Sequence, residues 1–268
     1  MSTSRRNPQS SPRRRAPRTP RPRLLPRLLA CAALAAASFT AQAGNFGVSP
    51  IRLDLDKGAR SGVIAVSNDG DTPLDFQARA MLWTQDAAGQ DHYEDTQALV
   101  YFPRQFRVPP HEKRVVRIGY RNPALKTEQA YRLFVEEIPD AKERAKRTSV
   151  TVAVRFGVPI FVRPPAGKVE AEIGGLAVVA GRAQATARNA GAVHFRINQV
   201  RFRALGADGK VKWEHAVQGW YLLPGAQREY AAKLPAEACR AARELRVELL
   251  GDKLDATSEV PLKPELCS

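Results

Sequence analysis

The chain has 268 residues, of which 42 are Lys or Arg and 27 are Asp or Glu, so its formal net charge is +15. This length allows two domains of ordinary size, each with its own core. The excess of positive charge is concentrated in the first 43 residues, which hold nine Arg and no acidic residue, and the remainder carries only +6. A mildly basic remainder attracts acidic partners weakly, and we expect no nucleic acid among them.

The first predicted element is an N-terminal export signal. An apolar run, Leu28–Phe39, follows the Arg-rich stretch and is closed by Ala41-Gln42-Ala43. A run of about 12 residues is too short to span a bilayer, which takes about 20. The pattern predicts a secretory signal peptide over residues 1–43, cleaved after Ala43, with no membrane insertion. The Arg-rich stretch is long for a signal, so a nucleic-acid-binding tail and a start codon assigned too early stay as alternatives.

Short apolar segments follow from Gly44 onward, and Gly, Pro, Asn and Asp separate them. These residue types favour turns. Seven strands are predicted before residue 164: Gly47–Leu55, Gly62–Asn68, Leu74–Thr84, Ala98–Phe102, Lys113–Tyr120, Gln129–Ile138 and Thr148–Val162. About seven short strands without a long helical period are typical of a β-sandwich.

A second set of strands follows Pro164-Pro165-Ala166-Gly167, which is predicted to be a linker. The set comprises Gly174–Ala180, Arg182–Asn189, Arg196–Ala204, Lys210–Val217, Arg228–Lys233 and Arg243–Leu250, with a helical turn within Ala236–Leu245. The predicted fold class is therefore all-β, with two immunoglobulin-like β-sandwich domains in tandem joined by a short Pro-rich linker. The predicted domains span residues 44–164 and 167–268.

The last strand of the first domain carries an unusual apolar row. Successive side chains of a strand point to opposite faces, which puts five apolar residues on one face: Val150, Val152, Val154, Phe156 and Val158. One interpretation is an ordinary half-buried strand of a sandwich. The other is an edge strand whose apolar row serves another protein, since native proteins normally protect exposed edges of this kind.

Two cysteines, Cys239 and Cys267, remain after Cys31 is removed with the signal. An even number of cysteines in an oxidising compartment indicates a disulfide. A two-ligand metal site is the alternative, which the absence of His near either cysteine in the sequence disfavours.

Sequence motifs of the common enzyme classes are absent. The four histidines, His92, His111, His194 and His215, have no metal-ligand spacing, and the sequence contains no G-x-S-x-G, Walker A or G-x-G-x-x-G motif. We therefore expect no enzyme activity, no cofactor and no metal.

Several segments resemble, in order and spacing, the periplasmic pilus chaperones of the chaperone–usher pathway, and the likeness covers nearly all of the chain from Gly44. The segments are Val48–Leu53, Val66–Asp69, Pro109–Ile118, Tyr131–Pro139 and Phe161–Pro164, followed by Asn189, Tyr221–Gly225 and Leu250–Asp252. The resemblance implies a periplasmic protein that stabilises pilin subunits and delivers them to an outer-membrane usher. It further implies a chaperone that is monomeric when bound to a subunit.

The family's mechanism, donor-strand complementation, assigns a role to the apolar row. In this family a pilin is a sandwich that lacks its last strand, and the chaperone lends one of its own strands to fill the groove. The resemblance implies that the donor residues are Val150, Val152 and Val154, with Phe156 next.

The family also holds the subunit's C-terminal carboxylate with two basic residues, one on the first strand and a Lys on the last. Arg52 matches the first, whereas Pro159 stands at the second position and carries no charge. This departure makes the chain similar to the archaic branch of the family. We expect Arg155 to supply the second charge, with Arg117 and Arg132 as further candidates.

The resemblance implies an interdomain ion network of Glu137, Arg163 and an acidic residue of the second domain, for which Asp252 is preferred and Asp255 is second. The rival hypothesis for the whole chain is a secreted two-domain adhesin or structural pilus subunit. Such a protein would also carry a signal peptide and immunoglobulin-like strands, but it would need no spare apolar strand.

Overall fold

Ten strands form the first half of the chain in the computed structural model, which describes residues 46–121, 125–139, 153–252 and 254–267. They are β1 (Phe46–Ser49), β2 (Leu53–Leu55), β3 (Ser61–Asn68), β4 (Leu74–Gln85), β5 (Asp91–Asp95), β6 (Leu99–Phe102), β7 (Gln105–Val108), β8 (Lys113–Tyr120), β9 (Gln129–Ile138) and β10 (Arg155–Val162). One sheet has the order β1-β3-β8-β6. The other has the order β2-β10-β9-β4-β5, and β7 also pairs with β4.

Eight strands and one short helix form the second half. They are β11 (Ala171–Val179), β12 (Arg182–Asn189), β13 (Phe195–Leu205), β14 (Val211–Gln218), β15 (Tyr221–Leu222), β16 (Gln227–Lys233), α1 (Ala236–Ala241), β17 (Glu244–Gly251) and β18 (Leu254–Pro261). Strands β11-β12-β16 make one sheet and β14-β13-β17-β18 the other, with β15 paired to β13. The fold is all-β, as predicted, with two sandwiches in tandem. None of the described helices is long and apolar enough to cross a membrane.

The alternation of side chains along β9 explains how the two cores form. Tyr131, Leu133 and Val135 point into the core of the first sandwich, which β4 and β10 help to close. Ala130, on the opposite face of the same strand, packs into the core cluster of the second half. Trp83 and Phe161 of the same outer face join that cluster, so this part of the sheet packs against the second half and the two halves bury apolar surface there.

A buried asparagine ends a strand in each half and fixes the loop that follows. Asn68 donates from Nδ2 to the carbonyls of Thr72 and Val108, and its Oδ1 accepts from the Gly70 amide. Asn189 repeats the arrangement in the second half, with the carbonyls of Val193 and Leu222 and the Gly191 amide. Each buried amide is fully satisfied, and its loss would leave backbone groups without partners.

The strand boundaries differ from the prediction in several places. The predicted strand Gly47–Leu55 is divided into β1 and β2, because the chain passes from one sheet to the other between them. The predicted strand Thr148–Val162 begins at Arg155 within the described residues, and residues 148–152 lie outside them. Strands β5, β7, β15 and β18 were not predicted. Strand β5 is polar and mostly exposed, so hydrophobic periodicity does not reveal it.

The disulfide between Cys239 and Cys267 is confirmed. The two Cα atoms lie 5.5 Å apart, and the bond closes a loop with a sequence separation of 28 residues. It ties α1 to the segment after a 3₁₀ turn at Pro264–Leu266. Both cysteines are buried in the core of the second half.

We expect replacement of both cysteines by alanine to lower the free energy of unfolding of the second half by about 3–4 kcal/mol, because the unfolded chain regains the entropy that the closed loop removes. Denaturant unfolding of the oxidised protein and of the Cys239→Ala/Cys267→Ala variant measures the difference. A loss below about 1 kcal/mol would show that the loop is already constrained in the unfolded chain.

Candidate functional site

Strand β10 has one open edge over its first half. Its inner edge pairs antiparallel with β9 from Arg155 to Val162. Its outer edge pairs with β2 only from Ile160 to Val162. Among the described residues, no strand pairs with the outer edge between Arg155 and Gly157.

The register decides which backbone groups face the open edge. The Glu137 amide donates to the Val154 carbonyl, so even-numbered residues of this segment bond to β9. The groups of odd-numbered residues point the other way, as the Arg163 amide does when it donates to Leu55 of the β2 side. Arg155 and Gly157 therefore present their N–H and C=O groups outward. Pro159 lies at an outward position too, where its missing N–H breaks no bond to β9.

The apolar row lies on the core face of the same strand. Phe156 packs at the edge of the first core, and Val158 is fully buried in it. Val154, the preceding member of the row, is half-buried and lies directly before the first residue of β10. The other two predicted donor residues, Val150 and Val152, lie outside the described residues.

Three aromatic rings pack together where the two halves meet, and we call them the platform; Trp83 and Phe161 are fully buried there. Trp83, Phe161 and Tyr221 have their ring centroids 5.5 to 5.9 Å apart in every pairing. The first two belong to the outer face of the β2-β10-β9-β4-β5 sheet and the third to β15. Aromatic pairs at these separations gain energy beyond simple burial.

Arg52 lies at the rim of this platform, where the first strand leads into β2. Its guanidinium carbon lies 5.6 Å from the Phe161 ring centroid, and its Nε donates to Asp54 at 2.9 Å. Partial burial acts to lower the pKa of Arg52, but the hydrogen bond and the charge of Asp54 outweigh it and raise that pKa. The side chain is 35% exposed, so part of the guanidinium can still reach a ligand.

Arg132 stands directly across the ladder from Pro159, the position at which the family pattern lacks its charge. Residues opposite each other in a ladder share a face of the sheet. The Arg132 guanidinium carbon lies 4.2 Å from the Trp83 ring centroid, on the same platform as Arg52. Among the described residues it forms no ion pair, and its Nε is buried without a hydrogen-bond partner. The structure thus brings Arg52 and Arg132 to one surface.

The other two predicted anchor residues lie elsewhere. Arg155 is on the platform face of β10, but it forms an ion pair with Glu136 at 2.6 Å and covers the Phe134 ring. Arg117 lies on β8, which belongs to the other sheet of the sandwich, and it is exposed. Arg117 therefore does not lie on the same side of the sandwich as the platform.

The predicted network of Glu137, Arg163 and Asp252 is not formed among the described residues. In the β9–β10 ladder Glu137 lies opposite Val154, and Arg163 lies nine residues further along, past the other end, about 30 Å away at roughly 3.3 Å per residue. Asp252 accepts a hydrogen bond from Asn198 instead.

Arg163 takes part in a different network, which joins the two halves. It lies 3.2 Å from Asp54 and 3.7 Å from Glu128. Glu128 in turn accepts hydrogen bonds from the His194 backbone amide and from its ring at 2.6 Å. The His194 ring stacks on Phe161 at 3.4 Å.

Sequence reasoning missed Glu128 and His194 because each is a single residue with no local motif. The antiparallel register provides the signal, since Arg163 follows Val162, which pairs with Gln129, and so lies beside Glu128. Among the described residues no group of three or more His, Cys, Asp or Glu side chains is arranged to hold a metal ion.

Comparison with known proteins identifies relatives of this fold. Residues 45–168 match the family model described as the pili and flagellar-assembly chaperone, PapD N-terminal domain. No curated protein matches the sequence closely enough to count as a relative.

Solved structures of similar fold cover about four-fifths of the chain. The CsuC–CsuE chaperone–tip adhesion subunit complex of archaic Csu pili from Acinetobacter baumannii has 18% identity and a TM-score of 0.54, covering 80% of this chain and 97% of that one. The class 5 fimbriae chaperone CfaA has 14% identity and a TM-score of 0.54, with 82% and 100% covered. The Salmonella enterica SafA pilin–SafB chaperone complex has 13% identity and a TM-score of 0.51, with 82% and 98% covered. At these identities the likeness establishes the fold.

Proposed function

Since residues 45–168 match the family model of the pili and flagellar-assembly chaperone, PapD N-terminal domain, we propose that this chain binds pilin subunits and keeps them folded until they are assembled. It does so by donor-strand complementation, and an outer-membrane usher then receives the subunit. The domains that carry out this work are residues 44–164, which contain the donor strand, and residues 167–268.

The open outer edge of β10 is the observation that carries the proposal. It offers the N–H and C=O groups of Arg155 and Gly157 to an incoming strand, and Val154 and Phe156 have the same parity as the predicted donors Val150 and Val152. An added strand gains main-chain hydrogen bonds from the open edge, and the apolar side chains of the row fill pockets in the subunit. Burial of Val150, Val152 and Val154 in a subunit groove would contribute about 5–8 kcal/mol before ordering costs.

Arg52 and Arg132 are proposed as the anchor for the subunit's C-terminal carboxylate. Each guanidinium provides several N–H donors in a plane that matches a carboxylate. Arg52 keeps one carboxylate partner, Asp54, whereas Arg132 has none among the described residues. The position of Arg132 opposite Pro159 supports its assignment as the second charge.

The proposal is tested by co-expressing the chain with a pilin subunit and purifying the complex. We expect a one-to-one complex in which the subunit is soluble and the chaperone is monomeric. The rival hypothesis, a secreted adhesin or structural subunit, predicts instead that the purified chain polymerises by itself or captures no pilin. Either of these results would overturn the proposal.

We propose that the chain acts in the periplasm and that its mature form begins at Gly44, after cleavage behind Ala43. An exported protein meets an oxidising compartment, in which the Cys239–Cys267 disulfide persists. Mass spectrometry of the periplasmic fraction, before and after reduction, is expected to give the mass of Gly44–Ser268 with no free thiol. A retained N-terminus or two free thiols would contradict export by this signal.

A further inference from the structure

The guanidinium of Arg132 lies in a cage of three aromatic rings. Its carbon is 4.2 Å from the ring centroid of Trp83, 5.5 Å from that of Tyr93 and 5.8 Å from that of Trp220. Trp83 and Tyr93 are paired across β4 and β5 of the first half. Trp220 belongs to the second half, between β14 and β15. The cage is complete only where the two halves meet.

One carboxylate, that of Asp91, holds two of these rings in place. Its Oδ2 accepts a hydrogen bond from Trp220 Nε1 at 2.9 Å and lies 3.4 Å from the Tyr93 hydroxyl. Its Oδ1 accepts from Gln85 Nε2 at 2.9 Å. The Gln85 amide also bonds the second half, donating to the Tyr221 carbonyl and accepting from the Leu223 amide. Asp91 therefore connects the second half to the walls around Arg132.

A cation close to aromatic faces is stabilised by their quadrupoles. Of the Arg132 nitrogens, only Nε is buried without a hydrogen-bond partner. The same rings restrict the rotamers of a long side chain that would otherwise be mobile. A binding group that is already ordered avoids the entropic cost of being ordered on binding. The cage therefore prepares Arg132 to receive a carboxylate.

We propose that Asp91 and Trp220 are positioning residues for the carboxylate anchor, through which the second half takes part in recognising the end of the subunit. This inference rests on the proposed function. It assigns to the hydrogen bond between Trp220 and Asp91 the task of keeping the Arg132 guanidinium in its binding orientation. Neither residue needs to touch the subunit.

The test measures the affinity of the chain for a synthetic peptide of the pilin's last strand, made once with a free C-terminal carboxylate and once amidated. The Kd of the amidated peptide divided by the Kd of the peptide with a free carboxylate reports carboxylate recognition separately from strand pairing. We expect Trp220→Phe, which keeps a ring and removes the N–H donor, to lower this ratio about 3–10-fold. Asp91→Ala also releases Tyr93 and Gln85, so it should lower the ratio at least as much. The double variant is expected to lose no more than Asp91→Ala alone, because the bond that Trp220→Phe removes is already absent in that variant.

Asp95→Ala is the matched control. Asp95 lies on the same strand as Asp91 and forms an exposed ion pair with Arg79, so its loss should leave the ratio at the wild-type value. Arg132→Gln is the reference for complete loss of the Arg132 contribution. Thermal unfolding of each variant shows whether it is folded. If Asp91→Ala is unfolded, the test uses Trp220→Phe, which is the milder change.

The outcomes separate this inference from the proposed function. If folded Trp220→Phe keeps the wild-type ratio while Arg132→Gln loses it, Arg132 is part of the anchor and the positioning role of Trp220 and Asp91 is wrong. If Trp220→Phe weakens both peptides equally, the bond is only structural and the inference is also wrong. If wild type does not distinguish the two peptides, the proposed anchor fails and this inference fails with it.

Discussion

Val152→Asp is expected to abolish capture of a pilin subunit, with a loss of at least about 100-fold in affinity, because it would place an unpaired charge in an apolar groove. Val152 has the same parity as Phe156 and Val158, whose side chains lie on the core face of β10. Pull-down with the co-expressed subunit gives the first answer, and titration of the free chain gives the magnitude. The variant should itself fold normally, since the substitution precedes the buried part of the strand.

Thr151→Asp is the control for this prediction. It places the same charge one residue earlier, on the opposite face of the strand, and it should cost much less. Equal loss from Val152→Asp and Thr151→Asp would argue that the charge alone disturbs binding and that the apolar row is not the donor.

The second large effect is expected at the anchor. Arg52→Ala and Arg132→Gln should each weaken capture about 10–100-fold, because a charge-assisted hydrogen bond to a carboxylate contributes roughly 1.5–3 kcal/mol. Arg52→Lys should recover only part of the affinity, since an ammonium cannot form the bidentate contact. Affinity is measured by titration with the subunit or its C-terminal peptide. The melting temperature of Arg52→Ala should change little, because its pair with Asp54 is partly exposed.

Arg117→Gln is the matched control, since Arg117 lies on the other sheet and is exposed. Arg155→Gln distinguishes the anchor predicted from the sequence from the one that the structure favours. If Arg155→Gln loses as much affinity for the subunit as Arg132→Gln, Arg155 of β10 also contributes the second charge of the anchor. Wild-type binding by both Arg52→Ala and Arg132→Gln would show that the carboxylate is held elsewhere.

The all-β fold and the disulfide follow from the sequence because their signals are local. Alternating apolar residues between turn residues predict strands, and two cysteines in an exported chain predict a pair. Short strands such as β5 and β15 carry no such pattern. Their position depends on the neighbouring strands with which they pair, so tertiary contacts decide them.

The candidate site was predicted only in part, because its geometry depends on register. Arg52 is accessible to sequence reasoning through its place in the first-strand segment. Arg132 is only a reserve candidate behind Arg155, because the pairing of β9 with β10 is needed to show that it lies opposite Pro159. For the same reason the family resemblance implies Glu137 as a partner of Arg163, whereas the register puts Glu128 beside it.

The most direct test of the central claim follows amide hydrogen exchange along β10 in the free chain and in its complex with a pilin subunit. Phe156 and Val158 bond to β9, so their amides should be protected in both states. Arg155 and Gly157 face the open edge, and their amides should exchange rapidly in the free chain and become protected by at least about 100-fold on capture. Unchanged exchange at Arg155 and Gly157 in the complex would contradict strand addition at this edge.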